Sequence, residues 1–89
     1  MISYWFTFQH SDVYPLGTKL GVGVTAENLH EAVNLLVSRV FTDIPMPIIS
    51  ELIERVKIEQ LEKSHVLPNI GDIKEKGIWF PLGYNDKAY

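Results

Sequence analysis

The sequence predicts a small α+β domain, a two-layer sandwich in which one main helix covers one face of an antiparallel sheet of about four strands. Residues 2–9 and 19–24 alternate at the two-residue period of half-buried strands. Residues 25–41 repeat their apolar side chains at the helical interval. Two later apolar stretches, 48–58 and 78–82, can supply the remaining strands. The predicted order along the chain is therefore β-β-α-β-β.

The first two strands are predicted to form a hairpin around the turn-rich loop 10–18. Pairing Phe8 with Leu20 sets Phe6 opposite Val22 and Trp5 opposite residue 23. Trp5 then lies on the outer face, away from the helix, because it alternates with the apolar side chains of its strand.

Two glycines, Gly21 and Gly23, interrupt the second strand beneath this predicted position of Trp5. An indole can cover bare glycine backbone in a sheet, which is the interpretation that we favour. The alternative is that the glycines let the backbone of a partner come close.

The segment 25–41 is predicted to form the main helix, with Thr25 as its N-cap. Pro45 and Pro47 end the element, since proline cannot continue the hydrogen-bond ladder. Leu35 is an apolar residue on the polar side, where it covers a loop or contacts another chain. The predicted core-facing stripe consists of Leu29, Val33, Leu36 and Val40.

The second half of the chain is harder to assign. Residues 48–58 fit both helical and strand periodicity, and their content of Ile and Val favours a strand. Turn-forming residues dominate 66–77, and the last strand, 78–82, carries Trp79 and Phe80. We expect Phe80 to complete the core, whereas Trp79 lies either beside Trp5 on the outer face or at an interface. Residues 85–89 are predicted to be a loose tail.

Length and composition indicate one domain spanning residues 1–89. The chain has no cysteine, which excludes disulfides and thiolate chemistry and favours a cytoplasmic setting. A net charge of −3 argues against nucleic acid as a partner, and no apolar run is long enough to span a membrane.

No sequence motif predicts catalysis, a cofactor or a metal site. Residues 21–26 match the letters of a dinucleotide fingerprint that ends in alanine, but the context is wrong because the glycines fall inside a strand. The one rival to a binding module is a small enzyme or ligand-binding protein. It would use polar side chains of the loops, namely His10, Asp12, His65, Asn69 and Asp72.

The leading functional hypothesis is a protein-interaction module, of the adaptor, inhibitor or immunity type. It follows from the predicted layers, since a single helix leaves the other sheet face open and unusually apolar. The module would bind a protein partner or form a homodimer through this outer face or an edge strand. The predicted interaction surface consists of Trp5, Gly21, Gly23, Leu35, Trp79 and Tyr84.

Overall fold

The computed structural model describes residues 1–9 and 18–84, so predictions for the loop 10–17 and the tail 85–89 lie outside the described residues. The predicted fold class is confirmed: a four-stranded antiparallel sheet is combined with one main helix. The strands lie side by side in the order β3-β1-β2-β4. The elements are β1 (Ile2–Phe8), β2 (Val22–Ala26), α1 (Leu29–Leu35), β3 (Ile49–Glu54) and β4 (Gly77–Phe80).

The hairpin between β1 and β2 has the predicted register over most of its length, with Trp5 opposite Gly23. The prediction is wrong at the start of β2, because Leu20 belongs to a 3-10 turn spanning Thr18–Leu20. The Gly21 amide donates to the Thr18 carbonyl at 3.1 Å and closes this turn. A φ of 136° at Gly21 then redirects the chain into the strand, a conformation that suits glycine.

The helix begins three residues later than predicted. Thr25 is not its N-cap, because β2 extends to Ala26 and Thr25 is buried within the strand. Asn28 caps the helix instead, and its side-chain oxygen accepts the Glu31 amide at 2.9 Å. The Glu31 carboxylate in turn accepts the Glu27 amide at 2.8 Å, so the first turn is fixed from both sides.

The main helix continues into a π-helical turn at Leu36–Val40. Leu36 and Val40 are buried as predicted, whereas Leu29 is 38% exposed at the start of the helix. Leu35 is half-buried and packs against the core with part of its side chain.

The first core lies between α1 and the sheet. The aromatic side chains of β1 meet the helix here, and Phe8 contacts Phe41 edge-on at 5.1 Å between ring centroids. The buried members of this cluster are Tyr4, Phe6, Val22, Val24, Ala26, Ala32, Leu36, Val40, Phe41, Ile78 and Tyr84.

A second core covers the opposite face of the sheet. Residues 56–73, here called the cover segment, cross this face with two 3-10 turns, Ile58–Gln60 and Leu67–Asn69. The crossing follows from topology, since β3 and β4 lie at opposite edges and the chain joining them must traverse one face. The buried members of this second cluster are Trp5, Val56, Leu61, Val66, Trp79 and Phe80.

Candidate functional site: the open edge of the sheet

The predicted outer surface is not available for binding. Trp5 is 8% exposed and Trp79 is 1% exposed, because the cover segment lies over both. Their ring centroids are 5.9 Å apart, so of the two alternatives for Trp79 the structure has the position beside Trp5. The expectation of an open apolar face is therefore wrong, and the tryptophans form a core.

The two glycines of the predicted surface provide the space for these indoles. A methyl group placed on Gly21 would lie 2.6 Å from Cζ2 of Trp5, and one on Gly23 would lie 2.5 Å from the ring of Trp79. Both distances are far below van der Waals contact, so the glycines are covered by the chain's own side chains. Tyr84, another predicted surface residue, is 6% exposed, and burial raises the pKa of its phenol.

Part of the predicted polar loop site does come together. The Asn69 amide group donates to the carbonyl of His65 at 2.7 Å, and the two side chains border a groove of about 300 Å³. Asp72 is not part of it, because its carboxylate accepts the Lys74 amide at 2.9 Å in a separate turn. His10 and Asp12 lie outside the described residues. The groove is lined by Leu20, His65, Asn69, Phe80, Pro81 and Leu82.

Glu62, the charged neighbour of His65, stabilises the local turn through hydrogen bonds to backbone amides. The Glu62 carboxylate accepts the His65 amide at 2.5 Å and the Val66 amide at 3.2 Å, and it lies 3.5 Å from His65 Nδ1. These amide donors, His65 first, lower the pKa of Glu62 to about 2. A carboxylate held in its ionised form is unsuited to general-acid work near neutral pH.

In the described part of the chain, no three acidic or histidine side chains converge to hold a metal.

A second cleft, of about 560 Å³, opens where the cover segment leaves the sheet. The two hydroxyls in it already donate to the cover segment: Ser3 to the Val56 carbonyl at 3.0 Å and Thr25 to the Ile73 carbonyl at 2.7 Å. These two hydroxyls therefore hold the cover segment in place.

The sheet has two edges, and they differ in how their backbone groups are paired. At the β4 edge, the Gly71 amide donates to the outward carbonyl of Trp79 at 2.7 Å. The cover segment thus pairs with β4 as well as covering the face, and this edge is closed at its centre.

The β3 edge can be read from the hydrogen bonds of its neighbour β1. The Ser3 carbonyl accepts from Val56 and the Gln9 amide donates to Ile48, so the odd-numbered residues of β1 direct their backbone groups toward β3. Their partners in β3 are Ile53, opposite Trp5, and Glu51, opposite Thr7.

Because backbone groups alternate in direction along a strand, Leu52 and Glu54 must direct theirs away from β1. Among the described residues, no strand or loop pairs with this side of β3. We call the outward backbone groups of Leu52 and Glu54, with the side chains of β3 around them, the open edge.

The side chains along the open edge are partly apolar and partly charged. Ile49, Leu52 and Ile53 are only half-buried, and Ile48, just before the strand, is 68% exposed. Glu51 is also exposed, and it makes no ion pair with any described residue. None of these β3 residues was in the predicted interaction surface, since periodicity left 48–58 undecided between helix and strand and gave no strand order.

No family model matches this chain, and no curated protein or solved structure is significantly similar to it. Within residues 1–9 and 18–84, none of the helices has the length and apolar character needed to cross a membrane.

Proposed function

We propose that this protein is a small interaction module that binds a protein partner by strand addition at the open edge of β3. The observation that carries the proposal is the contrast in backbone pairing: the outward groups of Leu52 and Glu54 lack a partner among the described residues, whereas the β4 edge is closed by Gly71. An exposed strand edge is a template for another strand, and main-chain hydrogen bonds then provide the affinity.

The side chains support the same role. A partner strand laid along β3 would cover the remaining exposed area of Leu52 on the helix side and of Ile53 on the outer side. Burying apolar area on both faces of the added strand contributes roughly 25 cal/mol per Å². We place this activity in the cytoplasm, because a secreted domain of this size would more often carry disulfides and the chain has no cysteine.

The proposal is tested by removing one outward amide without removing the strand. In Glu54→Pro the outward N–H is lost, and proline is tolerated at a strand edge when its missing donor faces away from the sheet. Glu54→Ala is the matched control, because it removes the same side chain and keeps the amide. Each tagged variant is used as bait in an extract of the native host, and any captured protein is then purified and titrated directly.

We expect a purified partner to bind the wild type and Glu54→Ala, and to bind Glu54→Pro at least tenfold more weakly. A partner that binds all three equally well would overturn the assignment to the open edge. Amide exchange of Ile53, which bonds to β1, shows whether β3 remains formed in the proline variant.

A further inference from the structure

The open edge is complementary to itself, and we infer from this that its partner is a second copy of the chain. This inference rests on the proposed function and names the partner for the same site. The two copies pair their β3 strands antiparallel about a two-fold axis through Ile53, which joins the two sheets into one continuous sheet.

The hydrogen-bond pattern selects this axis. With Ile53 on the axis, Leu52 lies opposite Glu54 of the second copy, and both residues direct their backbone groups outward. Opposed outward residues in an antiparallel pair exchange both N–H···O bonds. Symmetry repeats the exchange for Glu54, so every outward group of the regular strand finds a partner.

Two-fold axes through the neighbouring residues Glu51 and Leu52 would give less favourable pairing than the axis through Ile53. An axis through Glu51 would set two glutamates directly opposite each other, and like charges at such positions are destabilising. An axis through Leu52 would set Glu54 opposite Ser50, next to the point where the β1–β3 register shifts between Thr7 and Phe8. The outward direction of the backbone is not maintained through such an irregularity.

The side chains would also make favourable contacts when the two-fold axis passes through Ile53. Ile53 meets its own copy at a non-hydrogen-bonded position, where facing side chains approach most closely. Glu51 lies near the end of the second copy's β3, which Arg55 follows, and within one chain neither side chain forms an ion pair with a described residue. Arg55 has a φ of 55° and ends the strand, and its long side chain extends the reach of the guanidinium toward Glu51.

The first test is mass in solution across a dilution series, combined with amide hydrogen exchange. We expect a dimer that dissociates on dilution, with the Leu52 and Glu54 amides becoming protected as the dimer forms. The Ile53 amide should be protected at every concentration, because it bonds to β1. A chain that stays monomeric up to about 1 mM, where even a weak pair with a millimolar Kd would be substantially populated, would overturn the inference.

The second test is a charge exchange across the axis. Glu51→Arg and Arg55→Glu should each weaken the dimer by roughly threefold to tenfold, because each brings like charges close together at the end of the paired strands. The double variant should recover most of the loss. Glu59→Gln, which changes an exposed charge at the cleft beside Ser3 and Thr25, is the control and should leave the mass profile unchanged. Failure of the double variant to recover would overturn the register through Ile53.

Different results would overturn strand addition at the open edge and the pairing of two copies of the chain. A monomeric chain that still loses a captured partner in Glu54→Pro would overturn self-pairing and retain strand addition. A monomeric chain whose partner binding is unaffected by Glu54→Pro would overturn both. A dimer that persists in Glu54→Pro, with no protection at Leu52, would show association through another surface and would also overturn the self-pairing inference.

Discussion

The two faces of the sheet are covered in different ways. One face is covered by α1 and the π-helical turn, whose buried side chains are mostly aliphatic and include Leu36 and Val40. The other is covered by 56–73, a segment with only two short 3-10 turns, and it buries both tryptophans. An irregular segment can thus bury large aromatic side chains as completely as a helix does, provided that its backbone has other partners.

Those partners are visible on the outer face. The cover segment receives hydroxyl donors from Ser3 and Thr25, and its Gly71 amide bonds to the carbonyl of Trp79. Local bonds from Glu62 satisfy two of its own amides. The outer face is therefore a core whose covering segment is held partly by polar hydrogen bonds, whereas the helix on the other face is positioned by its periodic apolar side chains.

The largest expected effect comes from removing one large buried side chain from each face of the sheet. Trp79→Ala should lower the free energy of unfolding by about 3–5 kcal/mol, and Leu36→Ala by about 2–5 kcal/mol, since both side chains are fully buried. Urea unfolding measures both values. Ile58→Ala, a change of a 44% exposed residue in the cover segment, is the control and should cost much less. A loss near zero for Trp79→Ala would mean that the outer face is not a core.

A smaller effect is expected from filling the space under an indole. Gly23→Ala places a methyl group against the ring of Trp79 and should destabilise the fold by about 1–3 kcal/mol. Gly71→Ala is the matched control, because its methyl group would meet the Leu82 side chain at 3.4 Å and should be tolerated. Thermal unfolding of both variants gives the difference. Equal stability of the two would contradict the close approach of Trp79 to Gly23.

The contribution of the polar anchors is measured by Thr25→Val, which keeps the shape of the side chain and removes its hydroxyl. The carbonyl of Ile73 then loses its donor, at a cost of about 0.5–1.5 kcal/mol. Increased amide exchange at Gly71 would locate the effect in the cover segment. An unchanged rate together with unchanged stability would show that apolar contacts alone hold this segment.

The smallest expected effect is a pH dependence confined to the outer face. Folding lowers the pKa of Glu62 from 4.5 to about 2, chiefly through the His65 amide, so the folded state favours the ionised carboxylate. The stability from this group is complete above pH 4.5 and is lost as the pH falls toward 2. The difference in unfolding free energy between wild type and Glu62→Gln should therefore shrink over that interval. A constant difference would contradict the assignment.

The two edges of the sheet also differ, and this difference could not be predicted from the sequence. The cover segment closes β4, while no described residue pairs with the outer side of β3, although the sequence favours a short apolar strand in both 78–82 and 48–58. Sequence alone could not rank these edges, because strand order depends on contacts between residues far apart in the chain. For the same reason the predicted interaction surface was placed on a face that the chain itself covers.

The features that depend on local periodicity could be predicted from the sequence. The alternation in 2–9, the opposition of Trp5 and Gly23 and the burial of Leu36 and Val40 follow from side-chain spacing and hydrophobicity. The strand order and the covering of the outer face depend on tertiary structure. It set β3 and β4 at opposite edges, and this placement sent the connecting segment across the tryptophans and left Leu52 and Glu54 directed away from the sheet. Any segment that can reach an apolar face can bury it. The spacing of residues within one segment therefore does not show which segment covers that face.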